Sequence, residues 1–233
     1  MKTLVITGGS KGIGLATARL FAVEGYRVVN ISRSPIPLAG AVQLGIDIAE
    51  PEWVLRHGDA VRTAVAGSES IALVHNAGLL TKDSVENLDA ATLHRVLQVN
   101  VVACVQLDQL LLPAMQAGSA IVYVGSTLGE KAVAGSCAYV VSKHALIGLM
   151  RATCQDLAGR GIHSVCVCPG FTDTEMLRAH VGHASEVLEV LAGGVTFGRL
   201  IEPEEIARTI VFCAQNAVIN GAVIHANLGQ VEH

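Results

Sequence analysis

Apolar residues along this chain fall into short runs separated by longer stretches of helical spacing. Thr3 to Thr7, Arg27 to Ser32, Val42 to Ile46, Ile71 to Val74, Ala120 to Val124, Ser164 to Cys168 and Ala222 to His225 read as strands. The unbroken run Ala120 to Val124 is that of a buried strand. Between these runs, one helical pattern leads from a glycine turn through Ala16, Leu20 and Phe21 to a stop at Gly25. Others span Leu88 to Gln116 and Cys137 to Ala158. A last helix opens on Pro203 with Glu204 and Glu205 in its first turn, and Ile206, Ile210 and Cys213 form its apolar side. Ser34 to Ala41 contains Pro35, Pro37 and Gly40, which predicts a loop. Alternating strands and helices imply an α/β fold, a doubly wound sheet of about seven parallel strands. With no linker or internal repeat, residues 1–233 are expected to form a single domain.

Composition sharpens this picture. Hydrophobic residues make up 51% of the chain and charged residues 15%, so either the core is large or apolar surface is covered between subunits. The stretches Val96 to Gln116 and Cys137 to Met150 each carry one formal charge, Asp108 and Lys143, which predicts a homotetramer or homodimer built on these helices. The net charge is −4 with scattered basic residues, so no nucleic acid or anionic lipid partner is expected. No uninterrupted apolar segment is long enough to span a membrane, and the start lacks a secretory pattern. The six cysteines include no C-x-x-C pair and read as buried reduced thiols, fitting a cytoplasmic protein.

The candidate chemistry centres on Tyr139 and Lys143. Four residues apart on a helix, they share one face with about 6 Å of rise between them, and an ammonium beside a phenol favours the phenolate. Ser126 follows the Ala120 to Val124 strand, at a strand end where α/β active sites lie. At the chain start, Thr7 and Gly8 lead through Ser10, Lys11, Gly12 and Ile13 to Gly14 between a strand and a helix. Such a turn lets backbone amides at a helix N-terminus approach a pyrophosphate. Where a reader of a ribose 2′-hydroxyl would place Asp or Glu, the second strand ends in Asn30, Ile31, Ser32 and Arg33. Arg33 and Lys11 are cations suited to a 2′-phosphate, hence NADP(H) with NAD(H) as the alternative. His180 and His183, near Glu175 and Glu186, have the spacing of a metal site, but they lie in a variable stretch where exposed histidines are the default, and no metal is expected.

Taken in order, Thr7, Gly8, Gly12, Gly14; Asn76, Ala77, Gly78; Asn100; Ser126; Tyr139 with Lys143; and Pro169, Gly170, Thr172, Thr174 resemble the short-chain dehydrogenase/reductase family in its compact form, over almost the whole chain. The resemblance implies a Rossmann-type fold and interconversion of a ketone and a secondary alcohol, running physiologically as a reduction. Tyr139 would be the general acid and base, Ser126 would bond the substrate oxygen, and Lys143 would hold the nicotinamide ribose. Asn100 would anchor a relay water. The phosphates would rest on Ser10 to Ile13, the adenine near Asp47 and Ile48, the ribose near Asn76 to Gly78 and the carboxamide against Thr172 and Thr174. Residues of about 172–200 would form the substrate lid. Its apolar Met176, Leu177, Val187, Leu188, Val190 and Leu191 lean toward a moderately hydrophobic ketone or 3-oxoacyl group. His75 stands where many members have Asn, with little effect expected. The competing readings are a catalytically silent NAD(P)-binding sensor or scaffold and an NAD-dependent alcohol dehydrogenase of the same fold.

Overall fold

The computed structural model describes residues 1–182 and 185–231. Its strands are β1 (Lys2–Thr7), β2 (Arg27–Ser32), β3 (Val42–Gly45), β4 (Ser70–His75), β5 (Ala120–Val124), β6 (His163–Pro169) and β7 (Val223–Ala226). They form one sheet in the order β3-β2-β1-β4-β5-β6-β7, and every neighbouring pair is parallel. The fold is Rossmann-type, as the alternation of elements implies. The order in which strands are added reverses between β1 and β4, so the crevice for a ligand opens at the carboxyl ends of these two strands.

Strand side chains alternate between two layers. Val5, Val29, Ile71, Leu73, Ile121 and Tyr123 point to one face. That face is covered by α2 (Trp53–Val65), α4 (Ala103–Leu111) and α5 (Cys137–Asp156). Leu4, Ile6, Val28, Val74, Val122 and Val165 point to the other, where α1 (Gly12–Val23) and α8 (Pro203–Gln215) pack together through Phe21, Ile206 and Ile210. The remaining helices are α3 (Ala90–Leu97), α6 (Glu175–Val181) and α7 (Ser185–Gly193). Glu202 and Glu205 form a capping box at α8 with Pro203 in the first turn, as the sequence signals.

Three expectations need correction. The pattern from Leu88 to Gln116 is not one helix. Asp89 caps α3 by accepting from the Thr92 amide at 2.7 Å, so helix begins at Ala90. Gln98–Val102 is a π-helical turn that interrupts the α-helical path into α4. The helix ends at Leu111 because Pro113, just beyond, has no amide hydrogen and restricts Leu112 before it. In the second correction, the third strand stops at Gly45 rather than Ile46. The third is that α2, for which the sequence pattern gave no prediction, fills the crossover after β3. Ser34 to Ala41 is a loop, as expected, and it is tied down by Gln43, whose Oε1 accepts from the Ile36 amide and from Asn30 Nδ2.

Candidate active site

The glycine turn is shaped by close approach. Gly8 has φ +68°, and a Cβ on Gly14 would lie 2.2 Å from the Gly8 carbonyl oxygen and 2.5 Å from Asn76 Nδ2. Asn76 is the brace, since its Nδ2 donates to the carbonyls of Thr7 and Gly8, both at 3.0 Å. Thr7 Oγ1 accepts from the amides of Asn76 and Ala77. Asn30, fully buried, accepts from the Gly9 amide at 2.8 Å through its Oδ1. Thus the Asn30 side chain at the end of β2 braces the turn from inside, while Arg33 beyond it is exposed. At the start of α1 the N-cap residue, Lys11, makes no side-chain capping bond, which leaves the first-turn amides free for an anion. The cradle therefore fits a dinucleotide pyrophosphate. Asp47 Oδ1 accepts from the Ala49 amide, and Ile48 is nearly buried, its carbonyl accepting from Gln98.

The candidate side chains gather near the carboxyl ends of β4 and β5, with Tyr139 and Lys143 carried there by α5. Lys143 is 3% exposed; its Nζ donates to the Val124 carbonyl at 2.8 Å and stands 5.4 Å from the centroid of the Tyr139 ring. Asn100 sits in the π turn and is held by three bonds. Its Oδ1 accepts from the Leu79 amide at 2.7 Å, and its Nδ2 donates to the Leu79 carbonyl at 3.0 Å and to Ser142 Oγ at 2.8 Å. A Cβ on Gly78 would fall 3.8 Å from Asn100 Oδ1 and 3.9 Å from Lys143 Nζ, so these three residues enclose one space and Gly78 keeps it open. Ser126 is partly exposed and caps the 3-10 turn Thr127–Gly129, accepting from the Leu128 amide at 3.1 Å. Asp83 caps the N-terminus of α5, the helix that carries Tyr139 and Lys143, by accepting from the Ala138 amide at 2.8 Å.

The segment after β6 closes over the glycine turn. Gly170 approaches Asn227 so closely that a Cβ would meet its Cα at 2.9 Å. Thr172 donates to the Gly170 carbonyl, and Thr174 caps α6 by accepting from the Leu177 amide. Thr174 Cγ2 would lie 3.3 Å from a Cβ on Gly12. Lys11 does not point into open solvent but pairs with Glu175, Nζ to Oε2 at 2.5 Å. Glu175 carries no sequence signal for this contact, since the two residues lie 164 positions apart. His180 is on α6, where burial and then Lys82 hold its imidazole pKa below the usual value. His183, its partner in the weighed metal reading, lies outside the described residues.

A buried polar cluster lies behind the site. His75 Nε2 meets Asp108 Oδ1 at 2.8 Å, Tyr123 donates to Asp108 Oδ2 at 2.6 Å, and the Tyr123 hydroxyl reaches Thr153 Oγ1 at 3.1 Å. His75 and Tyr123 stack with centroids 4.8 Å apart. The Asp108 carboxylate thereby ties α4 to β4 and β5, and the Tyr123 hydroxyl extends the cluster to Thr153 on α5. Burial opposes charge on His75, but the neighbouring Cys104 sulfur and the Asp108 carboxylate outweigh it and raise its pKa to about 10. Burial and then Asp108 push the Tyr123 phenol well above its ordinary value. His75, where the sequence reading expected little effect, is a buried member of this cluster, bonded to Asp108.

Such a sheet, with a glycine-turned βα unit facing a Tyr and Lys pair across the strand ends, defines a dinucleotide-binding oxidoreductase. A family model described as short chain dehydrogenase matches residues 2–183. The chain is 31% identical over 230 residues to carbonyl reductase family member 4 of Xenopus tropicalis, covering 96% of this chain and 95% of that protein. It is also 31% identical over 240 residues to acetoacetyl-CoA reductase of Shinella zoogloeoides, covering 98% of each. A short chain dehydrogenase from Burkholderia cenocepacia, solved in complex with NADP, superposes with a TM-score of 0.87 at 30% identity, covering 98% of this chain and 97% of that one. The protein belongs to the short-chain dehydrogenase/reductase family and is an NAD(P)-dependent oxidoreductase.

Proposed function

We propose that the protein is an NADP(H)-dependent reductase of a moderately hydrophobic ketone or 3-oxoacyl compound. The observation that carries this reading is the Lys143 ammonium, buried and anchored on the Val124 carbonyl beside the Tyr139 ring. That geometry sets a phenol and a buried ammonium side by side, the pairing a general acid and base needs. Tyr139 donates that proton to the carbonyl oxygen, and Ser126 bonds the same oxygen. The Ser126 hydroxyl accepts from the Leu128 amide, which leaves its own hydrogen free to donate to that oxygen. Asn100 keeps the π turn in register, and Lys143 holds the nicotinamide ribose. When bound, the nicotinamide supplies or accepts the hydride. The amides of Ser10 to Ile13 hold the phosphates, Asp47 and Ile48 flank the adenine, and Ala77, Gly78, Pro169, Gly170, Thr172 and Thr174 line the nicotinamide side.

The NADP(H) preference rests on the end of β2, which offers Asn30 and Ser32 where a carboxylate would repel a 2′-phosphate, followed by exposed Arg33. Among the described residues no carboxylate pairs with Arg33. The NADP of the Burkholderia cenocepacia neighbour agrees with this preference. Residues 172–200 serve as the substrate lid of a single 1–233 domain. Exposed Val102 and Val141, on the π turn and α5, support a homotetramer or homodimer, and the free thiols suit the cytoplasm. The test is NADPH oxidation with a broad carbonyl panel by the wild type and Arg33→Ala. Arg33→Ala should weaken NADPH by about tenfold or more and leave NADH nearly unchanged. Equal use of NADH and NADPH by the wild type, or an equal effect of the variant on both, refutes the preference. A panel giving no turnover favours the silent sensor.

A further inference from the structure

Lys11 belongs to two sites at once. It is the N-cap residue of α1, where the proposed function needs a cation for the 2′-phosphate, and its ammonium is held by Glu175. Glu175 is not there by the chance of a loose loop. Its segment is stitched to the start of the last crossover, with the Asp173 amide donating to the Ile201 carbonyl and the Ile201 amide to the Phe171 carbonyl, both at 2.9 Å. Arg178 grips Asp173 through two bonds of 2.6 and 2.7 Å, which fixes the first turn of α6. The Thr174 methyl then rests on Gly12. These contacts set a carboxylate at the mouth of the phosphate cradle.

We propose that Glu175 is a specificity-determining residue that holds Lys11 away from the cofactor's 2′-phosphate, acting as a resident anion that the phosphate must displace. The inference rests on the NADP(H) reading and deepens it. Both partners are largely exposed, at 64% and 70%, so the pair is weak and exchangeable, whereas a phosphate dianion offers Lys11 more charge than one carboxylate. Displacement frees Glu175, the first residue of α6, from Lys11 and removes one tie between α6 and the glycine turn, so cofactor loading and the seating of α6 are linked. Because NADH lacks the 2′-phosphate, it leaves the pair intact. Glu175 therefore lowers affinity for NADPH more than for NADH, by its hold on Lys11.

The experiment is a double-mutant cycle with the full-length protein. Dissociation constants for NADPH and NADH are measured by calorimetric titration for the wild type, Glu175→Gln, Lys11→Ala and the double variant. Glutamine keeps the shape of the side chain and removes its charge. Glu175→Gln should tighten NADPH by about three- to fivefold and NADH by less than twofold, and the gain should vanish in the Lys11→Ala background. No tightening of NADPH, an equal gain for NADH, or the same gain without Lys11 each overturns the inference. Failure of the parent reading is separate: it shows in the wild type and Arg33→Ala, as equal affinity for the two cofactors or an equal effect on both. A wild type that prefers NADPH through Arg33 but shows no coupling between residues 11 and 175 rejects the role of Glu175 alone.

Discussion

Asp108→Asn removes the carboxylate on which α4, β4 and β5 converge, and its effect can be worked out from the cluster itself. His75 is 2% exposed and its pKa is raised from 6.5 to about 10 against the opposing effect of burial. A rise of that size corresponds to about 5 kcal/mol at about 1.36 kcal/mol per unit, part of which comes from Cys104 rather than Asp108. Breaking a buried pair by removing one partner costs about 3–5 kcal/mol in general. The variant is therefore expected to lose about 3–5 kcal/mol, which for a domain of this size lowers Tm by about 6–20 °C. The pH dependence has a definite sign. Because the folded-state pKa of His75 is raised, its contribution is fully present below pH 6.5 and is lost as pH rises through about 10. Urea unfolding of the wild type and Asp108→Asn between pH 6 and 10 should show a gap that is widest at pH 6 and narrows toward pH 10. A gap under about 1 kcal/mol at pH 6, or one that widens with pH, would refute a buried His75 and Asp108 ion pair.

Tyr139→Phe should lower turnover by about a hundredfold or more while the cofactor dissociation constant stays within about twofold, because only a transition-state proton donor is removed; near wild-type turnover rejects the assignment. Gly14→Ala should fail to bind cofactor or fail to fold, since its Cβ would sit 2.2 Å from the Gly8 carbonyl oxygen, and a variant with normal thermal stability and affinity would contradict the described turn. Light scattering at micromolar concentration should give the mass of a dimer or tetramer, and a monomer would exclude an interface on α4 and α5.

Much of the fold was legible because each strand of a two-sided parallel sheet must be apolar along its length, which makes runs such as Ala120 to Val124 conspicuous. The glycine turn, Tyr139 and Lys143 were legible for a different reason: their chemistry depends on short spacings along the chain. What escaped has physical causes. Helix α2 carries Arg56, His57, Asp59 and Arg62 around a narrow buried stripe, and Gly58 weakens its helical signal. That glycine is where Leu110 of α4 comes 3.4 Å from a would-be Cβ. The π turn at Gln98–Val102 changes the backbone bonding register without changing the kinds of side chains, so apolar spacing does not mark it. The Lys11 and Glu175 pair and the Asp108 cluster join residues remote in sequence, and only the folded chain brings them together.

The strand order also governs how the protein emerges from synthesis. The first four strands gather around β1, which cannot gain its second neighbour until β4 has been made. After that, β5, β6 and β7 are each laid beside the strand made just before, so the sheet grows outward in one direction. The candidate residues Ser126, Tyr139 and Lys143 are all synthesised before α8. The face built from Leu4, Ile6, Val74, Val122 and Val165 has α1 and the loop bearing Ile36 as cover before Pro203–Gln215 arrives. For that interval the nascent chain presents an apolar groove beside Phe21, the surface on which holding chaperones and premature aggregation compete. A chain truncated before Pro203 thus retains Ser126, Tyr139 and Lys143 but leaves half of one layer of its core open to water.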